Sequence, residues 1–352
     1  MKIHTLILLF TLLVTPFLFA RDKTDVLVMN NGDRLTGEIK GLSAGTLYVS
    51  FDYLLNTASV NWSKVNHLES KQLFIVRTES GLVYTGTLKT TERAGERPMQ
   101  IEIASAAEPA VVVSQPQIVE VDETAERFRQ RLNGDINMGF NYTKGNQAAQ
   151  YNFSSSIAYP RPRWGAGASY QSTLSSNSGS PVTTRNALSF EGEHLLPWDK
   201  WFVAGTTNFR QSSEQNIDLQ TNIGGGIGRF LKNTNRAKIS LMGGLAWQNT
   251  KYSPADIVPL GQQKVAAALI SGRMSLFQFN KTNLDITATV LPALTQPGRV
   301  YYDTNITYYI KLFGEINWNV SFYGNWDTRP PANFSGSDYG ASSGLGWTFG
   351  NK

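Results

Sequence analysis

The chain has 352 residues, a formal net charge of +5 and only 17% charged residues. It contains no cysteine, which excludes a disulfide scaffold, a Cys-ligated metal site and a lipid-modified N-terminal cysteine. The basic residues are spread along the chain, whereas nucleic-acid-binding proteins cluster them, so we expect no nucleic-acid partner. Few long segments have helical periodicity, and Gly, Asn, Ser and Thr are abundant, which predicts an exported all-β protein.

The first twenty residues have the features of a secretory signal peptide. Lys2 precedes the apolar run "LILLFTLLVTPFLFA", which ends at Ala20. A basic start, an apolar core and a small residue before a polar stretch are the parts of such a signal. An uncleaved N-terminal anchor is the alternative, but the run is short for a membrane-spanning helix. We therefore predict residues 1–20 as the signal peptide.

Residues 21–122 contain an internal repeat. Gly32 and Gly37 in the first copy correspond to Gly81 and Gly86 in the second copy, at the same spacing. Each copy has a strand, a glycine-containing turn, two further strands and a closing strand. Because glycine permits sharp bends and bulges in strands, this pattern predicts two small SH3- or Sm-like β-barrels in tandem.

Residues 123–130 are predicted as a linker, and the pattern changes in residues 131–352. There about twelve segments alternate apolar and polar residues, separated by turn residues, which is the signature of an antiparallel transmembrane β-barrel. The sixth segment, for example, places Ile217, Leu219, Ile223 and Ile227 on one face. The eighth, around residues 265–277, shows no clear alternation.

The connections between these segments alternate between short and long. Short ones include "YPRPR" and "FNKT", and long ones include "LSSNSGSPVTT" and "WDTRPPANFSGS". Outer-membrane barrels have short periplasmic turns and longer external loops. An even number of strands places both ends of the barrel in the periplasm, and therefore the domain of residues 21–122 as well.

The last predicted strand shows which face meets lipid. Tyr339, Leu345, Trp347 and Phe349 share one face of "DYGASSGLGWTF", and glycine, serine and threonine occupy the other. A soluble β-sandwich also alternates, but it buries its apolar face within a domain of about 100 residues. Here the apolar face recurs along the whole second half of the chain, so we expect it to contact lipid.

The chain resembles the bacterial outer-membrane family called domain of unknown function 481, also labelled salt-induced or acid-inducible outer membrane protein. The resemblance rests on "NGDRLTGEI", "GTLYVSFDY", "VNWSKVNHLES", "DLQTNIGGGIGRFLKNTNRAKISLMGGLAWQNTKY", "NWDTRPP" and "SDYGASSGLGWTF". It implies an outer-membrane location and a barrel, and no established activity. The last strand is similar to the signal read by the barrel-assembly machinery, which would act during biogenesis on Gly344, Leu345, Trp347 and Phe349.

No catalytic constellation emerges from the sequence. Of the three histidines, His4 leaves with the signal peptide, and neither His67 nor His194 has an identifiable Ser or Asp partner. The glycine run "GGGIG" lies inside a predicted strand with no helix after it, so a phosphate-binding loop is excluded by context. We expect no catalytic residues, no metal site and no cofactor.

Charged residues are predicted on the luminal face of the barrel. The acidic ones, found by alternation, are Asp135, Glu191, Glu193, Asp218, Asp285, Asp303 and Glu315. Arg185, Arg210 and Lys238 share that face. Rings of carboxylates favour cations in a pore. Paired charges could equally fill a narrow lumen, and about twelve strands lie between barrels without a channel and barrels with a wide one.

Three functions remain open at this stage. The first is a small cation-preferring pore or an envelope-stress protein of the outer membrane. The second is a plugged barrel that anchors a periplasmic domain, which binds an unidentified partner. A lipid hydrolase is the least favoured, because His194 would be its sole candidate residue. The sequence does not indicate the oligomeric state.

Overall fold

The computed structural model describes residues 23–91, 98–105, 109–124, 128, 132–143, 148–161, 163–176, 181–197, 200–253, 262–278, 282–331 and 334–349. The predicted signal peptide and most of the predicted linker lie outside these residues. The described chain is all-β, apart from two single-turn 3₁₀ helices. No helix within the described ranges is long and apolar enough to cross a membrane, a finding that does not concern strands.

The N-terminal domain is a sheet of nine strands, in the order β4-β3-β2-β1-β5-β6-β7-β8, with β9 paired to both β2 and β5. The strands are β1 (Asp25–Met29), β2 (Arg34–Ser43), β3 (Thr46–Ser50), β4 (Ala58–Asn61), β5 (Val65–Thr78), β6 (Val83–Thr90), β7 (Gln100–Ala104), β8 (Val111–Ser114) and β9 (Ile118–Glu123). The 3₁₀ turns, Trp62–Lys64 and Gln115–Gln117, precede β5 and β9.

Two glycines mark equivalent turns in the two copies of this domain. Gly32 and Gly81 both have a positive φ, +91° and +86°, which residues other than glycine rarely adopt. Each glycine lies in the turn after the first strand of its copy, and its amide donates to the carbonyl of that strand's last residue, Met29 or Thr78. Because the two turns share this conformation, β1 with β2 and β5 with β6 form matching antiparallel pairs.

The core of the N-terminal domain contains a buried carboxylate. Asp25 accepts hydrogen bonds from the Ile39 amide at 2.8 Å and from the Ser70 hydroxyl, so it ties β1 to β2 and β5. The apolar core of this domain contains buried side chains of both copies, including Leu47 and Leu88. A buried carboxylate in an apolar core is tolerated because its oxygens are hydrogen-bonded.

We expect Asp25→Ala to destabilise the N-terminal domain by about 3 kcal/mol, because it leaves a buried amide and a buried hydroxyl without their acceptor. The measurement is hydrogen–deuterium exchange of β2 and β5 in the full chain, which should accelerate by about 100-fold. Exposed Arg34→Ala is the matched control and should leave exchange unchanged. Unchanged exchange in Asp25→Ala would contradict this role.

The second domain is a closed barrel of twelve antiparallel strands, each paired with its neighbours in sequence, and β21 closes onto β10. The strands are β10 (Asn133–Thr143), β11 (Ala148–Pro160), β12 (Trp164–Ser176), β13 (Thr183–Leu195), β14 (Trp201–Ser212), β15 (Ile217–Asn233), β16 (Ala237–Tyr252), β17 (Gln262–Gln278), β18 (Thr282–Pro292), β19 (Val300–Phe313), β20 (Ile316–Asp327) and β21 (Ser337–Phe349).

The outer surface of the barrel is apolar. Leu245, Tyr339 and Met138 each expose about two thirds of their surface, and many other large apolar side chains share this face. Strands can cross a bilayer in a closed barrel with an apolar exterior, because closure gives the backbone groups of every strand a hydrogen-bonding partner. The alternation in sequence thus predicts the outward face along most of the barrel.

One residue predicted on that face lies on the other. Ile217 is buried and borders a small cavity inside the barrel, whereas Leu219, Ile223 and Ile227 are exposed on the outside. The pairing of β15 shifts register between Ile217 and Leu219. Because a bulge adds a residue to one strand, it reverses the alternation at that point.

Candidate functional site: the barrel lumen

The lumen holds a cavity of about 630 Å³, which lies in the size range of small-molecule sites. Its walls come from β10 to β19, and it reaches from the ends of the strands near Pro160 to Arg210 and Asp303. Serine, threonine and asparagine side chains cover much of the wall, as the polar face of the strand alternation requires.

Opposite charges are balanced around this cavity. The lining includes four carboxylates and four basic groups, namely Glu120, Glu191, Glu193, Asp303, Arg185, Arg210, Lys238 and Arg273. Glu191 and Arg273 face each other and form an ion pair at 2.8 Å, with both side chains about half exposed. Because the signs balance, the cavity is not the acidic ring that the sequence pattern suggests.

Three of the seven acidic residues predicted for the lumen line the cavity, namely Glu191, Glu193 and Asp303. Asp135 and Asp285 are not among its lining residues. Asp135 accepts hydrogen bonds from Asn137 and Ser156 on the inner face of β10 and β11. The neighbouring polar wall therefore engages this carboxylate.

The other two acidic residues lie at the rims of the barrel. Asp218 sits at the β15 bulge, is exposed, and pairs with Lys251 at 3.8 Å. Glu315 is exposed in the turn between β19 and β20 and accepts a hydrogen bond from the Trp347 indole. Neither contributes to the cavity, because the bulge moves Asp218 and the strand has already ended at Glu315.

An apolar wall forms one side of the cavity. Met242, Ala246, Leu269 and Leu291 line it and belong to one buried cluster on β16, β17 and β18. The sequence does not predict this wall, because strand alternation in a barrel predicts a polar luminal face. The missing alternation in residues 265–277 is the signal that could have revealed it: Leu269 faces the lumen and Ile270 faces outward.

A buried polar network crosses the lumen above the cavity. Arg185 on β13 donates to the Asn325 side chain on β20 at 2.8 Å and pairs with Asp338 on β21 at 3.4 Å. Asn325 donates to Asp303, and Ser212 donates to Asp338 at 2.7 Å. These five side chains, which we call the luminal bridge, are all buried or half-buried and connect opposite walls of the barrel.

The guanidinium of Arg185 also lies 4.0 Å from the centre of the Tyr323 ring. Such a cation–π contact attracts the guanidinium to the ring face and adds to the stabilisation from the ion pair. The luminal bridge is thus fixed by charge pairing, hydrogen bonding and ring packing together.

A second buried network fastens the connections beyond the luminal bridge. Arg299, between β18 and β19, forms a two-pronged pair with Asp327 and donates to Gln263 at 2.9 Å. Burial lowers the pKa of Arg299, but the hydrogen bond to Asp327 and nearby charges outweigh burial, so its pKa is raised and it stays charged. Phe334, in the β20–β21 connection, packs edge-on against Tyr252 at 5.3 Å.

The N-terminal domain contacts the barrel at the opposite end. The Lys200 amide donates to the Ser80 carbonyl at 3.2 Å, and Asn235 donates to the Ile118 carbonyl at 2.8 Å. Arg77 donates to the Arg161 carbonyl and pairs with Glu120 at 2.8 Å. The contacts therefore involve the β11–β12, β13–β14 and β15–β16 turns.

Glu120 of the N-terminal domain also lines the luminal cavity. The cavity thus has a strand of the N-terminal domain at one end and the luminal bridge at the other. Both the N-terminal domain and the barrel therefore contribute to the lining of this cavity.

The histidines lie away from this cavity. His194 is exposed on the outer surface near the end of β13, and His67 is half-buried on β5. Among the described residues, no group of three His, Cys, Asp or Glu side chains is placed to hold a metal ion.

The predicted assembly signal lies on β21, next to the closing strand β10. Leu345 and Trp347 are exposed on the outer face, and Phe349 packs against Trp347 with ring centres 5.4 Å apart. Gly344 faces inward, where a side chain would collide with the backbone of Met138 and Gly139. Glycine at this position thus permits the close approach of β21 to β10.

Comparison with solved structures finds distant similarity to other barrels. The translocator domain of autotransporter NalP from Neisseria meningitidis is 13% identical, with 62% of this chain and 87% of that chain covered and a TM-score of 0.34. The beta domain of the Bordetella autotransporter BrkA is 10% identical (62% and 98% covered, TM-score 0.31), and a porin is 13% identical (92% and 98%, TM-score 0.27). Similarity at this level does not extend to function.

Comparison with curated protein sequences finds no significant match. The model of one family, described as "Protein of unknown function, DUF481", matches residues 136–349, which is more than half of the chain and nearly the whole barrel. The resemblance stated from the sequence is confirmed: the chain belongs to the DUF481 family.

Proposed function

We propose that this protein is an outer-membrane barrel with a closed lumen that anchors its N-terminal domain in the periplasm. The observation that carries the proposal is the luminal bridge. Arg185 reaches from β13 to Asn325 and Asp338 on the opposite wall, and all three side chains are buried. A charged pair held across a lumen blocks the path that an ion would take.

The cation-preferring pore fits these observations less well. A cation preference needs an excess of carboxylates along the path, whereas the cavity lining has equal numbers of acidic and basic groups. The second network, centred on Arg299, and the contacts of the N-terminal domain add further obstacles at the two ends.

The test is single-channel recording of the refolded full chain in a planar bilayer under a salt gradient. We expect no discrete current steps. Folding is checked independently by the heat-dependent electrophoretic mobility of the barrel. Current steps with a cation-favouring reversal potential would overturn the closed-lumen proposal in favour of a pore.

The orientation in the membrane follows the connections. The described turns that meet the N-terminal domain are the short ones, which belong on the periplasmic side of an outer-membrane barrel. The proposal therefore includes assembly by the barrel-assembly machinery through β21, contact with outer-membrane lipid, and a periplasmic partner for the N-terminal domain. It assigns no enzymatic activity.

The tandem SH3- or Sm-like architecture is part of the same proposal. The β5 strand serves both copies: its first half pairs with β1, and its second half pairs with β9. The two 3₁₀ turns exchange hydrogen bonds, since the Trp62 indole donates to the Gln115 carbonyl at 3.0 Å and the Gln115 amide donates to the Trp62 carbonyl. Reciprocal bonds between equivalent turns support two related units.

A further inference from the structure

Arg210 is a buried cation on which the nearby opposite charges, Asp303 and Asp338, act only through space. It lies on the luminal face of β14 with 9% of its surface exposed, and its Nε atom is buried with no hydrogen bond. No hydrogen bond or ion pair joins it to another described residue. Arg185, which also lines the cavity, has an amide, a carboxylate and a ring as partners. A buried guanidinium without such partners is costly, so it calls for a ligand.

The surroundings of Arg210 indicate where that ligand would lie. Arg210 borders both the large cavity and a small cavity of about 40 Å³ beneath the β20–β21 connection. Asn222 borders the same two cavities, and its side-chain oxygen also lacks a hydrogen-bond partner. Two polar side chains, each with a buried atom that forms no hydrogen bond, therefore line the same two cavities.

The apolar wall adds the second half of the site. Met242, Ala246, Leu269 and Leu291 line the same cavity as Arg210. A side chain at Gly224 would meet Leu269 at 2.9 Å and Ala246 at 3.2 Å, so glycine there leaves space in front of the apolar wall. An apolar wall inside a barrel gains nothing from water, but it would stabilise an apolar body.

We propose that the luminal cavity binds an amphiphilic organic anion, with its carboxylate, sulfonate or phosphate on Arg210 and its apolar body against Met242, Ala246, Leu269 and Leu291. Arginine suits this role because its planar donors match an oxyanion with two hydrogen bonds. The volume of about 630 Å³ accommodates a ligand of one or two rings or a short chain. This site is independent of whether the barrel conducts.

The competing charge in the cavity is Asp303. Its carboxylate accepts a hydrogen bond from Asn325 and lines the same cavity as Arg210, without forming an ion pair with it. Asp303 would repel an anion, so it sets an upper limit on affinity. Asp303→Asn keeps the shape and a hydrogen-bonding group and removes this repulsion.

The experiment is isothermal titration of the full chain in phosphatidylcholine nanodiscs with 2-naphthoate, with empty nanodiscs as the blank. We expect saturable binding to the unaltered protein and about 10- to 100-fold weaker binding to Arg210→Gln, the loss of a charged hydrogen bond. The neutral isostere 2-naphthamide should bind to the unaltered protein as weakly as 2-naphthoate binds to Arg210→Gln. Arg34→Gln, an exposed change in the N-terminal domain, should bind like the unaltered protein.

Asp303→Asn provides a second measurement that does not depend on Arg210→Gln folding, and it should tighten 2-naphthoate binding. Absence of binding to the folded protein, or equal binding to folded Arg210→Gln, would overturn the proposal. Inorganic phosphate binding as tightly as 2-naphthoate would also overturn it, because the apolar wall would then contribute nothing. If Asp303→Asn bound 2-naphthoate equally or more weakly, the anion would not lie near Asp303, and its placement on Arg210 would be overturned.

Discussion

Discrete current steps are expected from the double variant Arg185→Ala/Asp338→Ala, where the unaltered protein is expected to be silent. The change removes Arg185 together with Asp338, the carboxylate it pairs with, so neither partner of this ion pair is left as an uncompensated buried charge. The cavity of about 630 Å³ would then extend towards the outer connections. The barrel wall itself is held by the backbone pairing of twelve strands, which these side chains do not provide.

The single variant Arg185→Ala should behave differently from the double variant. It leaves Asp338 buried without its cationic partner, with hydrogen bonds from the Ser212 and Tyr323 hydroxyls. An uncompensated buried charge costs about 3–5 kcal/mol, so the single variant should be markedly less stable. The measurement is the temperature at which the barrel loses its folded electrophoretic mobility, compared between the single and double variants.

A second charge pair in the lumen supplies the control for conductance. Glu191→Ala/Arg273→Ala removes an ion pair that lines the cavity but is about half exposed and lies apart from the luminal bridge. This variant should remain silent in the bilayer. Steps from both double variants would mean that general loss of luminal side chains, rather than the luminal bridge, admits ions. Silence from both would mean that the Arg299 network or the N-terminal domain closes the lumen without the luminal bridge.

The barrel was predictable because each strand has one face towards lipid and one towards the lumen, so apolar and polar residues alternate with a period of two. That rule places Met138, Leu245 and Tyr339 outside, and Glu191 and Asp303 towards the cavity. The glycine spacing in the N-terminal domain is informative for a different reason. A turn with positive φ, as at Gly32 and Gly81, strongly favours glycine, because a side chain there is strained.

The residues that the sequence did not reveal depend on what faces them across the lumen. Arg185 meets Asn325 and Asp338 only because the barrel closes with a particular stagger, which local alternation does not determine. The apolar wall has a related cause. At Leu269 and Ile270 both faces of β17 are apolar, so alternation disappears where the luminal surface changes character. The loss of alternation in this strand therefore indicates where the luminal wall is apolar.

A disulfide between Gly81→Cys and Lys200→Cys is expected to form in nearly all molecules exported to the periplasm. The Cβ of a residue at position 81 would lie 3.8 Å from the Lys200 Cα, so the two Cα atoms are within about 5.3 Å, inside the disulfide range. The chain has no other cysteine to compete. The periplasm is oxidising, and non-reducing electrophoresis measures the product.

The matched control uses the equivalent glycine of the first copy. Gly32 has φ +91°, against +86° for Gly81, so cysteine costs a similar strain of about 1–2 kcal/mol, but nothing lies within 4 Å of its Cβ position. Gly32→Cys/Lys200→Cys should therefore remain reduced or pair only between molecules. A disulfide at position 81 alone would fix the N-terminal domain on the β13–β14 turn, with Glu120 at the inner end of the cavity. Equal cross-linking of both pairs, or of neither, would contradict that placement.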